Sequence, residues 1–70
     1  MTTWYKVEIV KKVTYAVEIK NDKLSDKEKL DEAAHLAANH EEPFEELICS
    51  VLTEDNICDA LKEVDSVISL

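Results

Sequence analysis

Residues 5–19, Y-K-V-E-I-V-K-K-V-T-Y-A-V-E-I, are the stretch whose reading decides the fold. Tyr5, Val7 and Ile9 fall on one side of a strand with Lys6 and Glu8 opposite; Val13, Tyr15, Val17 and Ile19 repeat the pattern, with Thr14, Glu18 and Lys20 opposite. Side chains alternate faces along a strand, so each half has one apolar face. Pairing Ile9 with Val13, Val7 with Tyr15 and Tyr5 with Val17 keeps every large apolar group on one side. A two-residue turn at Lys11-Lys12 would instead set Val7 against Ala16 and Tyr5 against Glu18, mixing the faces. The expected connection is therefore three or five residues around Lys11 and Lys12, or a bulge. The absence of glycine points the same way, because a primed two-residue turn would place other residues at positive φ. A lone hairpin is marginal in water, so other elements must cover its apolar face.

Beyond the hairpin, Asn21-Asp22 supplies turn chemistry. Ser25-Asp26-Lys27-Glu28 is a capping box, with Ser25 as N-cap and Glu28 reaching back. The helix it opens is expected from Asp26 to Ala38, with Asn39 as terminator. Leu30, Ala33, Ala34 and Ala37 line its inner stripe, flanked by Leu36, while Glu28, Asp31, Glu32 and His35 face water. Pro43 suits the first turn of a second helix, and Glu41, Glu42, Glu45 and Glu46 suit a helix N-terminus. Phe44, Leu47, Ile48, Val51 and Leu52 then follow helical spacing. The rival reading makes 47–53 a strand, because the run is short and partly β-branched. Thr53 reads as the N-cap of a third helix with Ile57, Ala60, Leu61 and Val64 on its buried stripe. The tail Val67-Ile68-Ser69-Leu70 is β-prone and is a candidate third strand beside the hairpin. The expected fold is one α+β domain over residues 1–70, an antiparallel hairpin covered by two or three helices.

Charge is the main compositional feature. The chain has a net charge of −8 with no arginine. Residues 1–23 hold five lysines against three acids, net +2, and residues 24–70 hold three lysines against thirteen acids, net −10. Nucleic-acid phosphates are bound by clustered Lys or Arg, so a DNA or RNA partner is not expected. No apolar run approaches the ~20 residues of a membrane span, and the opening Met-Thr-Thr-Trp-Tyr-Lys lacks the pattern of an export signal. The expectation is a cytoplasmic chain without a membrane partner, with Cys49 and Cys58 reduced and buried as small hydrophobes.

The run Val7-Glu8-Ile9-Val10, followed by Ala16-Val17-Glu18-Ile19 and an acidic helix start, resembles the small DpnD/PcfM-like proteins of phages and mobile elements. The likeness covers residues 5 to 38; the Lys20–Leu24 connection and the C-terminal half depart from it. The resemblance implies a phage or mobile-element origin for a short accessory protein and carries over no functional residue.

Chemistry is thinly supported. Asp31, His35 and Asn39 lie a helical turn apart, and His40 adjoins Glu41, but no Cys-x-x-Cys or His-x-x-x-His spacing is present. Exposed histidines on a polar face are the favoured reading of them. Cys49 sits in an apolar helical pattern with no glycine-built loop for an oxyanion hole. No catalytic activity, metal or cofactor is expected. Trp4, just ahead of the first strand, either packs over a sheet edge or a helix or anchors a partner; the packing role is favoured because large residues are few. Two functions are carried forward. One is an accessory protein acting by contact with a host factor or with itself, through Trp4, Glu41, Glu42, Glu45 and Glu46 or an open hairpin edge. The alternative is an acidic mimic of nucleic acid that blocks a DNA-binding host enzyme.

Overall fold

The computed structural model describes residues 2–69, which form six elements. They are β1 (Thr3–Ile9), β2 (Val13–Ile19), α1 (Asp26–His40), β3 (Leu47–Leu52), α2 (Ile57–Glu63) and β4 (Ser66–Ser69). The four strands form one sheet in the order β3-β1-β2-β4. The class is α+β, and the hairpin is its centre. The tail does add a strand beside the hairpin, β4 parallel to β2, but the hairpin edge expected to be open is occupied by β3, antiparallel to β1.

The hairpin register is the one the alternation requires: Ile9 opposes Val13, Val7 opposes Tyr15 and Tyr5 opposes Val17. Residues 10–12 connect the strands, and the Lys12 N–H donates to the Ile9 carbonyl over 2.9 Å. Lys11 has φ 66°. A hydrogen-bonded turn with positive φ at its third residue is the type II pattern, where glycine is usual. This chain places lysine there, at a cost of about 1 kcal/mol.

The apolar faces of β1 and β2 meet α1. Val7, Ile9, Val17 and Ile19 are fully or almost fully buried, and Ala33 and Ala37 of α1 have no exposed surface. Two alanines at the contact let the helix axis lie close to the sheet, and Leu30 and Leu36 close the sides of the cluster. The helix starts as its sequence indicates: the Glu28 N–H donates to Ser25 Oγ (3.3 Å) and the Ser25 N–H to Glu28 Oε1 (3.1 Å). It runs past Asn39 to His40, and Glu41 is its C-cap, donating its N–H to the Ala38 carbonyl.

Two crossovers place the second helix. α1 carries the chain from β2 over β1 to β3, which runs parallel to β2; α2 carries it back from β3 to β4, also parallel to β2. The two connections travel in opposite directions across the sheet. Right-handed crossovers in both therefore put α1 and α2 on opposite faces. Burial agrees, since Ala16 points away from α1 yet has no exposed surface, and Ala60 is buried outside the α1 cluster. β4 is fastened at its entry: the Asp65 N–H donates to the Thr14 carbonyl and the Thr14 N–H to Asp65 Oδ2, each over 2.9 Å.

The second expected helix is absent. Residues 41–46 are irregular, with a cis Glu42-Pro43 peptide, and Leu47–Leu52 is a strand. Lys12 Nζ from the hairpin turn donates to the Pro43 and Glu41 carbonyls, and the Val10 N–H donates to the Glu46 carbonyl. The pull of the sheet edge wins over the helical spacing of Phe44 to Leu52. The third expected helix is the second one observed and begins at Ile57, not after Thr53. Asn56 Oδ1 accepts from the Thr53 N–H over 2.8 Å, making 53–56 a turn.

Candidate functional site

β3 carries L-I-C-S-V-L, six residues without a charge, between segments rich in acids. It lies at the end of the sheet, so only one of its sides is paired among the described residues. The ladder shows which backbone groups face outward. The Val10 N–H donates to the Glu46 carbonyl over 3.1 Å, making that a hydrogen-bonded pair, and such pairs alternate in an antiparallel ladder. Ile48, Ser50 and Leu52 thus turn their N–H and C=O groups to β1. Leu47, Cys49 and Val51 turn theirs to the open edge. Ile48 is 49% exposed and Val51 53%, so the two faces of this edge both show large apolar groups. Natural edges are usually blunted by lysine, proline or a bulge; β3 has none of these in its sequence.

On the α1 side, a cleft of about 430 Å³ opens beside Val51. Thr3, Tyr5, Leu30 and Cys49 form much of its apolar lining, and Asp26 and Lys27 stand at the helix start. Tyr5 is 97% buried, and its hydroxyl is held above its ordinary range by desolvation, then by the charges of Asp26 and Cys49. Cys49 is partly buried beneath α1, its Sγ 3.8 Å from the Leu30 carbonyl. Desolvation, with a smaller contribution from Asp31, pushes its thiol up to about 11. A thiol held protonated in this way is a poor nucleophile. Cys49 lies in a strand and not in a helix, and Cys58, expected to be buried, is exposed on α2.

The residues singled out from sequence do not form one surface. Trp4 lies within β1, not ahead of it, on the face away from α1, beside Glu18 and Leu52 and partly buried. The glutamates lie past the other end of that strand, about 20 Å away at ~3.3 Å per residue. Glu41 is engaged in the fold: Tyr15 Oη donates to its Oε2 over 3.1 Å. Glu42, Glu45 and Glu46 are exposed in the loop that leads into β3. Asp31 and His35 sit on the outer face of α1, and the His40 ring lies 5.9 Å from that of Tyr15. Ile48 and Val51 were not singled out as surface residues. Their signal was an uncharged, partly β-branched run between acids, which the strand reading of 47–53 contains.

No protein-family model, curated protein or solved structure matches this chain.

Proposed function

We propose that this chain acts by protein–protein contact, with no chemistry of its own, and that its working surface is the open edge of β3. The observation that carries this reading is an uncharged edge strand with three residues' backbone groups directed outward and Ile48 and Val51 about half exposed. An added strand satisfies those groups and covers those side chains, which is how sheet edges recruit extended segments. The protonated, half-buried Cys49 supports a surface that binds and does not react. The partner we propose is a bacterial host factor in the cytoplasm, as the resemblance read in residues 5 to 38 implies.

The test is affinity capture from bacterial lysate with wild-type protein and with an edge variant carrying Ile48→Lys and Val51→Lys. Both side chains are already half in water, so the variant is expected to fold. A partner held by the wild type and lost by the variant is the expected result. Capture that ignores the variant would overturn the reading.

A further inference from the structure

We infer that the β3 edge accepts an extended apolar segment of another protein that carries lysine or arginine at its ends. The inference rests on the β3 reading above and adds the chemistry of the partner. The strand is uncharged, but both its ends are acidic. Glu45 and Glu46 precede Leu47, and Glu54 and Asp55 follow Thr53; all four are exposed, while Lys12 is tied to the Glu41 and Pro43 carbonyls and Lys27 stands at the cleft beside Asp26. A guest strand beside β3 thus meets apolar neighbours along its middle and two carboxylates near each end. Cations at the guest's ends match this layout, and carboxylates there would be repelled. The cleft beside Val51 adds an apolar recess on the α1 side, so the guest's middle is best apolar as well.

A second copy of this chain fits the backbone but not the charge. Antiparallel pairing of two β3 edges about a two-fold axis at Cys49 sets Leu47 against Val51 of the second copy, satisfying every outward group. The same register sets Glu45 against Thr53, next to Glu54 of the second copy, and does so twice. Each chain also carries a net charge of −8. Self-pairing is therefore opposed at neutral pH and low salt, where a cationic guest is favoured.

The test uses the full chain and three short peptides with the same alternating valine–threonine middle, flanked by two lysines, two glutamates or two serines at each end. Binding is followed by amide shifts in NMR spectra. The expected result is a lysine-flanked peptide that binds at least tenfold tighter than the glutamate-flanked one at low salt. The shifts should centre on Leu47, Cys49 and Val51, and the difference should shrink in high salt. Methylating the peptide's backbone nitrogens on the side facing β3 should abolish binding without touching the protein. Val51→Pro, which removes an outward N–H and leaves the β1 ladder whole, should do the same.

Equal affinity of the three peptides at the β3 amides would overturn the charge preference and leave the edge reading standing. Shifts confined to other residues, or no binding by any peptide while lysate capture still depends on Ile48 and Val51, would also overturn it. A stable dimer through β3 at neutral pH and low salt would replace the cationic guest with a second copy.

Discussion

The Tyr15 hydroxyl donates to Glu41 Oε2 over 3.1 Å, tying the middle of β2 to the residue that ends α1. Desolvation, then this bond, raises the tyrosine's pKa above its ordinary 10.0, and Tyr5 is raised by burial as well. The neutral phenols are thus favoured in the folded state. Their contribution to stability is complete below the unfolded value and is lost as pH rises through the higher folded value. From neutral pH stability should begin to fall above about pH 9, the ordinary value of the Cys49 thiol that burial pushes up to about 11, and fall further as the two phenols ionise. Tyrosinate absorbance and circular dichroism recorded together should change together; ionisation of all tyrosine at pH 10 with no loss of structure would contradict the burial. Tyr15→Phe should cost about 1 kcal/mol in urea denaturation at neutral pH, the usual worth of one such bond.

Lys11 stands at φ 66° with its side chain exposed, so removing that side chain breaks no buried contact. Lys11→Gly should stabilise the protein by up to about 0.5 kcal/mol, the ~1 kcal/mol relief at positive φ being partly offset by the entropy glycine adds to the unfolded chain. A lower urea midpoint would show that the turn does not strain this residue.

Ala37 is wholly buried at the contact of α1 with the sheet. Ala37→Leu should push the helix outward and cost about 1–3 kcal/mol, and Ile9→Ala should cost about 2–5 kcal/mol by leaving a cavity. Few domains of this length have more than about 5 kcal/mol in total. Thermal melts of both variants check this; a wild-type melting temperature for Ala37→Leu would mean that the helix rides higher than described.

The two thiols should separate cleanly in a labelling experiment. At pH 8 a group with a pKa of about 11 is thiolate about one part in a thousand, and Cys49 is also covered by α1. Cys58 is exposed and should react first, with Cys49 at least tenfold slower until denaturant is added. Equal rates in native buffer would place Cys49 in open solvent.

Asp65 holds both ends of one contact, its N–H on the Thr14 carbonyl and its carboxylate on the Thr14 N–H. Asp65→Ala should cost about 1–2 kcal/mol and speed hydrogen exchange in β4 before the rest of the sheet. Uniform acceleration across all four strands would show that β4 does not open separately.

The hairpin was legible because its two strands alternate cleanly, with one face apolar and the other mixed. The register followed from Ile9, Val13, Val7 and Tyr15 alone. The capping box at Ser25 and Glu28 was legible for a similar reason, since a cap is a local interaction. β3 was not, because its odd residues face α1, its even residues face the other side of the sheet, and both sets include apolar groups. Alternation vanishes in such a strand, and Leu47, Ile48, Val51 and Leu52 fit a helical stripe equally well. The glutamates of residues 41–46 strengthened the wrong reading, as acids before an apolar run suit a helix start. What decides the matter is Val10 meeting Glu46 and Ile9 meeting Leu47, contacts between distant parts of the chain that no local pattern records. The edge proposed above as the contact surface was missed with the strand, and Trp4 drew notice in place of the half-exposed Ile48 and Val51.

The central place of the hairpin has a consequence for how the chain is made. β1 and β2 leave the ribosome before the other four elements, yet both of their neighbours in the sheet come from the second half, and Glu18 meets Ser69 across 51 positions of sequence. Until those residues arrive, the nascent hairpin has two unpaired borders, and α1 is the only element present to cover Val7, Ile9, Val17 and Ile19. Local folding offers little reward at that stage, and closing such long loops is slow. A polypeptide halted before Leu47 therefore holds the hairpin and α1 but leaves the β1 and β2 borders unpaired, the kind of open strand edge that invites pairing with other chains.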